Sequence, residues 1–346
     1  MTGRDRTDAE ADDDGEGEVD SPDSPDSSDC HDSAPSPTVA AVGAATLDRT
    51  YAVTNLPEPD GGAYARDVTA HPGGVGANVA AGCARLGREA GLVARLGDDD
   101  VGERVAADLD ESPVDDARIR TGSGTTTHCV VLRDGDGERM IVTAGNSTRR
   151  LRLNDRDEAY LRGADAVFVT AYTPDAVTAR LAELASEPSF PPLVVDLSGP
   201  LEELQDRGTE PETLGRLCRV AALFVANEVA AESYLGCPAA DAPAALRDRG
   251  VDRGVVTYGV DGATLFAGDR EASVPAFNVT VTDTTGAGDA FTAGLVDRWL
   301  LGDADPRAAG RWAAACAALN CRVAGARDGL PTAAAVESFL AESERD

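Results

Sequence analysis

The 346 residues carry 61 acidic against 31 basic side chains, a formal net charge of −30, and 42% of them are hydrophobic. The hydrophobic share supports a sizeable buried core, while the charge excludes a nucleic-acid partner, because a phosphate backbone demands a basic stripe. Every basic residue is arginine, which also excludes chemistry built on lysine: P-loop phosphate gripping, Schiff bases and Ser-x-x-Lys nucleophiles.

Acidity spread along the whole chain, with arginine in place of lysine, predicts adaptation to concentrated salt, where counterions screen the self-repulsion. The 7 cysteines contain no C-x-x-C pair, so neither a disulfide framework nor a zinc site is expected, only reduced thiols in a cytoplasmic protein. No apolar run reaches membrane-spanning length, so no membrane partner is expected, and the N-terminus lacks the apolar core of a signal peptide.

Residues 1–37 hold thirteen acids, two arginines and almost no large apolar side chain. Such a segment cannot offset the entropy of ordering and is expected to be a disordered acidic tail. A single domain then runs over 38–346. It opens with the apolar strand Val39-Ala-Ala-Val-Gly43 and continues through Gly- and Pro-punctuated sequence to Pro72. Val79, Cys83 and Leu86 recur at helical spacing, which predicts a helix over 76–86 closed by Gly87. Strand-like runs follow at 91–96, 128–132 and 140–143. From about residue 155 helices alternate with strands near 166–170, 193–197, 223–226 and 254–258, the pattern of a parallel sheet covered on both faces. Asp305-Pro306 starts one of the helices that fill the C-terminal third. The polar strands within 46–72 and 118–142 have no place in that sheet and are expected to form a small one of their own.

Two glycine-rich stretches carry the chemistry. In Asp283-Thr-Thr-Gly-Ala-Gly-Asp289, Gly286, Ala287 and Gly288 open a helix whose apolar face continues through Phe291, Leu295 and Trp299. A glycine-rich helix start presents free N–H groups and the positive end of the dipole to an anion. Asp289 in that first turn can accept a hydroxyl proton while the N–H groups stabilise a migrating phosphoryl. The second stretch, His71-Pro-Gly-Gly-Val-Gly-Ala-Asn78, again sets glycines before a helix, and Gly73 and Gly74 allow a ligand to approach the backbone. It fails as a dinucleotide fingerprint, because Val79 stands where the third glycine belongs.

With Gly97-Asp-Asp-Asp-Val-Gly102 between them, these stretches resemble the two signatures of the ribokinase-like (PfkB-type) carbohydrate kinases, from about Val39 to Leu340. The resemblance implies a three-layer α/β/α sandwich with a mostly parallel central sheet and a small β-lid. It implies transfer of phosphoryl from ATP to a sugar hydroxyl, with Asp289 as general base and the backbone of Gly286, Ala287 and Gly288 as anion hole. Asp48, Gly73, Gly74 and Asn78 would hold the acceptor; Asn227, Thr257, Gly259 and Gly262 would meet ATP and its Mg2+. Asp283 and Thr285 match positions that line a monovalent-cation (K+) site, and a homodimer formed through the lid is expected.

Three departures stand out. Alanine occupies position 230, where the family's Asn-x-x-Glu pattern has its magnesium-organising acid, and Glu228 and Glu232 are the nearest acids. Val75 replaces a ribokinase lysine, and Tyr172 falls where ribokinases have an acidic sugar contact, which weakens a ribose assignment. Sugar phosphates are disfavoured as acceptors, since only arginine could read the phosphate. A nucleoside kinase on the same fold stays open, as does a catalytically weak sugar- or nucleotide-binding regulator, which Ala230 suggests. His71, His128, Arg133 and Arg139 are read as turn, core or solvated residues, the two arginines flanking a hairpin turn at 134–137.

Overall fold

Alternation along the strands separates two apolar faces, and these define the layers. The structure, a computed structural model, describes residues 36–345, so all of the expected acidic tail but residues 36 and 37 lies outside it. The strand β1 (Val39–Val42) passes through residues 43–45 into β2 (Thr46–Val53). After β3 (Ala65–Gly73) comes the helix α1 (Val75–Arg85), then β4 (Ala90–Gly97), α2 (Asp100–Asp110) and β5 (Val114–Gly122). A hairpin of β6 (His128–Arg133) and β7 (Arg139–Ala144) follows. The alternating part comprises α3 (Asp155–Arg162), β8 (Ala166–Thr170), α4 (Asp175–Leu184), β9 (Leu193–Leu197), α5 (Leu201–Leu204) and α6 (Pro211–Val220). It continues with β10 (Leu223–Asn227), α7 (Glu228–Leu235), α8 (Ala242–Asp248) and β11 (Arg253–Thr257). The chain closes with the hairpin β12 (Ala263–Ala267) and β13 (Arg270–Val274), then α9 (Ala287–Leu295), α10 (Pro306–Asn320) and α11 (Ala333–Ser343).

The large sheet has the order β13-β12-β11-β10-β9-β8-β1-β4-β5. It is parallel from β5 across to β11 and ends in the antiparallel hairpin. On one face Val39, Ala41, Leu92 and Val255 pack with α1, α9 and α10; on the other Ala40, Val42, Val93 and Val256 pack with α3, α4, α6 and α8. The strand order departs in opposite directions from β1, toward β4 and toward β8, and ligands of such sheets bind beyond the strand C-termini at that switch point.

The second sheet has the order β3-β2-β6-β7. It joins the large sheet through four crossings, at residues 43–45, 74, 123–127 and 145–147. Residues 118–122, expected with the small sheet, instead belong to β5 at the edge of the large one, where Ala94 pairs with Ile119. One exposed face makes this edge strand read as polar. The helix expected from 286 through Trp299 is also interrupted: α9 gives way to a π-helical turn at Val296–Leu300. No helix of the described residues is long and apolar enough to cross a membrane.

Candidate active site

Asp289 lies in the first turn of α9, and Asn78 in the first turn of α1. The two helices pack closely: a Cβ on Gly82 would come within 2.7 Å of the Ala293 methyl. This contact brings the two glycine stretches together. Asn78 Nδ2 donates to Asp289 Oδ2 at 2.7 Å, while Asn78 Oδ1 accepts from Arg327 Nε at 2.9 Å. The amide orientation is thus fixed from both ends.

Arg327 carries no local sequence signal, and sequence reasoning missed it. Its guanidinium also donates to the Gly73 carbonyl at 2.7 Å and to Asp108 Oδ2 at 2.7 Å. Its side chain is only 9% exposed. Burial pulls its pKa down while Asp108, Asp48 and Asp289 hold it up. The only clue in the sequence is a lone arginine in the glycine-rich turn Gly325-Ala-Arg-Asp-Gly-Leu330.

Asp48 enters from the start of β2, next to the neck of the small sheet. Thr46 Oγ1 donates to Asp48 Oδ1 at 2.9 Å, and His71 and Cys129 are its cross-strand partners. Desolvation raises its pKa against the opposing pull of Thr46, Cys129, Arg327 and His71. The same carboxylate helps push the Cys129 thiol up to about 12, after desolvation as the main cause. A Cβ on Gly73 would collide with the Asp48 carboxylate, so any side chain there would displace it. Gly74 has φ of 93°, and a Cβ on it would meet the Ala44 carbonyl at 2.5 Å.

Asp289 is half-buried, and desolvation pushes its pKa up to about 6. The Asn78 bond and Arg327 oppose that rise, while Asp48 adds to it. Asp196, at the C-terminal end of β9, is a second carboxylate that sequence reasoning missed. Desolvation pushes it to about 7, with a further contribution from the negative charge of Asp289, although Ser198 Oγ donates to it. Its place at the end of an apolar parallel strand was the available signal.

Gly286 caps α9 with φ of 77°, and a Cβ there would meet the Ala326 carbonyl at 2.5 Å. A Cβ on Gly288 would instead project into open space. The Ala287 N–H is engaged by the Thr284 carbonyl at 3.2 Å, whereas the Gly288 and Asp289 N–H groups have no acceptor among the described residues. The free donors thus include Gly288 of the expected 286–288 set and extend to Asp289. Asp283 organises the preceding loop, accepting from Thr285 N at 3.0 Å, Thr285 Oγ1 at 2.8 Å and Gly325 N at 3.1 Å.

The expected nucleotide residues lie on the same sheet edge but apart from this cluster. Asn227 and Thr257 are register partners at the ends of β10 and β11. Asn227 Oδ1 caps α7 by accepting from Ala230 N at 2.8 Å, and its Nδ2 donates to the Ser198 carbonyl. Gly259 and Gly262 form the turn after β11 with φ of 57° and 92°. No hydrogen bond links these four residues to Asp289 among the described residues.

Residues 36–333 match the model of the pfkB family carbohydrate kinases. The chain is a pfkB-family carbohydrate kinase. This kinase is 35% identical over 305 residues to the ATP-dependent ribose-1-phosphate kinase of Halopiger xanaduensis, covering 88% of this chain and 98% of the relative. It is 28% identical over 289 residues to the aminoimidazole riboside kinase of Salmonella typhimurium, covering 78% of this chain and 88% of the relative. Among solved structures it superposes on Arabidopsis thaliana ribokinase complexed with ribose and ATP, with a TM-score of 0.76, 27% identity, and coverage of 88% of this chain and 99% of that one. The expected fold and enzyme class stand: a phosphotransferase for a sugar-type hydroxyl on a ribokinase-like sandwich.

Proposed function

We propose that the chain transfers the γ-phosphoryl group of ATP to a hydroxyl of a ribosyl-type acceptor, with Asp289 as the proton acceptor. The hydrogen bond from Asn78 to Asp289 at the free N–H end of α9 carries this reading. The acceptor would lie between Asp48, Asn78 and Asp289, held by the carboxylate of Asp48 and by the backbone at Gly73 and Gly74. Its hydroxyl oxygen attacks the γ-phosphorus as the proton passes to a carboxylate oxygen of Asp289, and the bond to the β-phosphate oxygen breaks with ADP as leaving group. Gly288 and Asp289 N–H groups would stabilise the charge on the migrating phosphoryl. Thr257, Gly259 and Gly262 offer backbone to the nucleotide, with Asn227 at the neighbouring strand end.

The turn at 227–230 fits magnesium poorly. Ala230 offers no side-chain oxygen, and both ends of the Asn227 amide are engaged within the protein. Mg2+, which usually keeps several waters and takes substrate phosphates as ligands, is therefore assigned to the ATP phosphates. It would neutralise their charge there. Ribose 1-phosphate enters the acceptor panel through the Halopiger relative's name, despite the sequence-based expectation against sugar phosphates. Arg327 and Arg207 are the arginines whose charge acts on the Asp48–Cys129 corner. The acidic, lysine-free composition fits a salt-rich cytoplasm. Exposed Val68, Met140, Ile141 and Val142 on the small sheet fit a homodimer face.

The test is ATP-dependent phosphorylation of ribose, ribose 1-phosphate, fructose and nucleosides in concentrated salt, with Asp289→Asn as control. Wild type should turn over at least one of them, and the variant should bind it yet lose nearly all kcat. Comparable kcat in the two proteins would remove Asp289 from the base role.

A further inference from the structure

The resemblance places a monovalent cation at Asp283 and Thr285, but most acceptor sites of the oxygens there are already engaged. An ionised carboxylate offers roughly four lone-pair sites. Asp283 gives two on Oδ1 to Thr285 N and Oγ1, and one on Oδ2 to Gly325 N. The Thr285 carbonyl accepts from Asn320 Nδ2 at 3.1 Å. The nearest cation is the Arg133 guanidinium, whose Nη1 forms an ion pair with Asp283 Oδ1 at 3.8 Å. Arg133 ends β6, and its cross-strand partner Arg139 donates from Nη1 to Thr284 Oγ1 at 3.4 Å. Two guanidinium groups of the small sheet thus approach the three-residue loop that leads into the helix start. A potassium or sodium ion on this carboxylate would sit against like charge, in surroundings that screen it less than bulk water.

We propose that Arg133 is the cation of the Asp283 loop, a tethered replacement for a monovalent metal ion, so that this kinase needs salt for screening but not potassium as a ligand. The tether also makes the order of residues 283–285 depend on how the small sheet is seated. Only the kinetic consequence rests on the reading of residues 286–289 as the phosphoryl site; the occupancy of the loop does not.

The experiment compares full-length wild type in KCl, NaCl and choline chloride at equal ionic strength, reading both melting temperature and kcat/KM. The expected result is no preference for potassium in either readout. A melting temperature or turnover that rises specifically with potassium in wild type would overturn the proposal. Arg133→Gln should empty the position and make both readouts respond to potassium, while Arg133→Lys, which keeps the charge, should stay indifferent. A folded Arg133→Gln that ignores potassium would also overturn it. If Arg133→Gln does not fold, the wild-type series and Arg133→Lys still decide. Absence of any kinase turnover would refute the functional reading alone, because the melting series tests the loop without it.

Discussion

Asn78 donates to Asp289 at 2.7 Å across 211 positions of sequence, and this bond joins the acceptor-side glycine turn to the phosphoryl-side helix. It lowers the basicity of Asp289 while burial raises it, and the balance leaves a carboxyl near 6, ionised at neutral pH but still able to take a proton.

Replacing Arg327 should disturb that balance in a predictable direction. Arg327 lowers the pKa of Asp289 and holds Asn78 and the Gly73 carbonyl. In Arg327→Met the pKa should rise above about 6, so the acid limb of the pH profile of kcat/KM moves to higher pH. Stability should also fall, by about 1–3 kcal/mol for each buried acceptor left unpaired. A variant that loses stability with an unmoved pH limb would reduce Arg327 to a packing role.

The two glycines of the helix start should fail differently. Gly286→Ala forces a positive φ on alanine and drives its methyl into the Ala326 carbonyl, so it should lower the melting temperature as well as activity. Gly288→Val meets open space in the protein and should leave the fold intact. Its side chain would occupy the ground above the free N–H groups, and losing one such donor costs about 10²–10³ in rate. Wild-type turnover in Gly288→Val would place the phosphoryl elsewhere.

Asp196 gives a stability prediction with a definite sign. Its folded pKa of about 7 lies above the ordinary value of 3.8, so the folded state holds the proton more tightly than the unfolded chain. That contribution is complete below about pH 4 and is lost as the pH climbs through about 7. Asp196→Asn cannot ionise, so it should melt higher than wild type at pH 8 by several degrees, at roughly 2 °C per kcal/mol for a large domain. The advantage should shrink as the pH falls and vanish below about pH 4. An unchanged difference across that range would mean that Asp196 is not neutral in the acidic fold.

Salt removal should loosen the wild-type protein, because repulsion at net −30 goes unscreened. Melting temperatures in a dilution series of NaCl check this. A flat series would remove the screening argument and leave the acidity to another role, such as binding a basic partner.

The helix α1, the β8–β11 strands and both glycine turns were legible because their signals are local: 3.6-residue periodicity, apolar runs bounded by turns, and glycines placed before helices. Edge strand β5 was not, since Asp115, Asp116, Arg118 and Arg120 give it the look of a solvated hairpin. Arg327 was invisible for another reason. Its partners Asn78 and Gly73 lie about 250 residues earlier, and no pattern in a short glycine-rich turn encodes such a pairing. Arg133 and Arg139 read as solvated hairpin arms because their counterparts, Asp283 and Thr284, come near only through tertiary folding.

The neck of the small sheet has a mechanical consequence. Asp48 lies three residues beyond the 43–45 crossing, and Gly73 and Gly74 form the crossing beside it, where Gly74 abuts the Ala44 carbonyl. Any rocking of the small sheet pivots close to these residues, so the acceptor carboxylate sits near the fulcrum and travels little. Arg133 and Arg139, at the far end of the β6–β7 arm, travel most. A substrate could thus stay gripped at the hinge while the distant arm swings over the loop at Asp283, separating the act of holding from the act of closing.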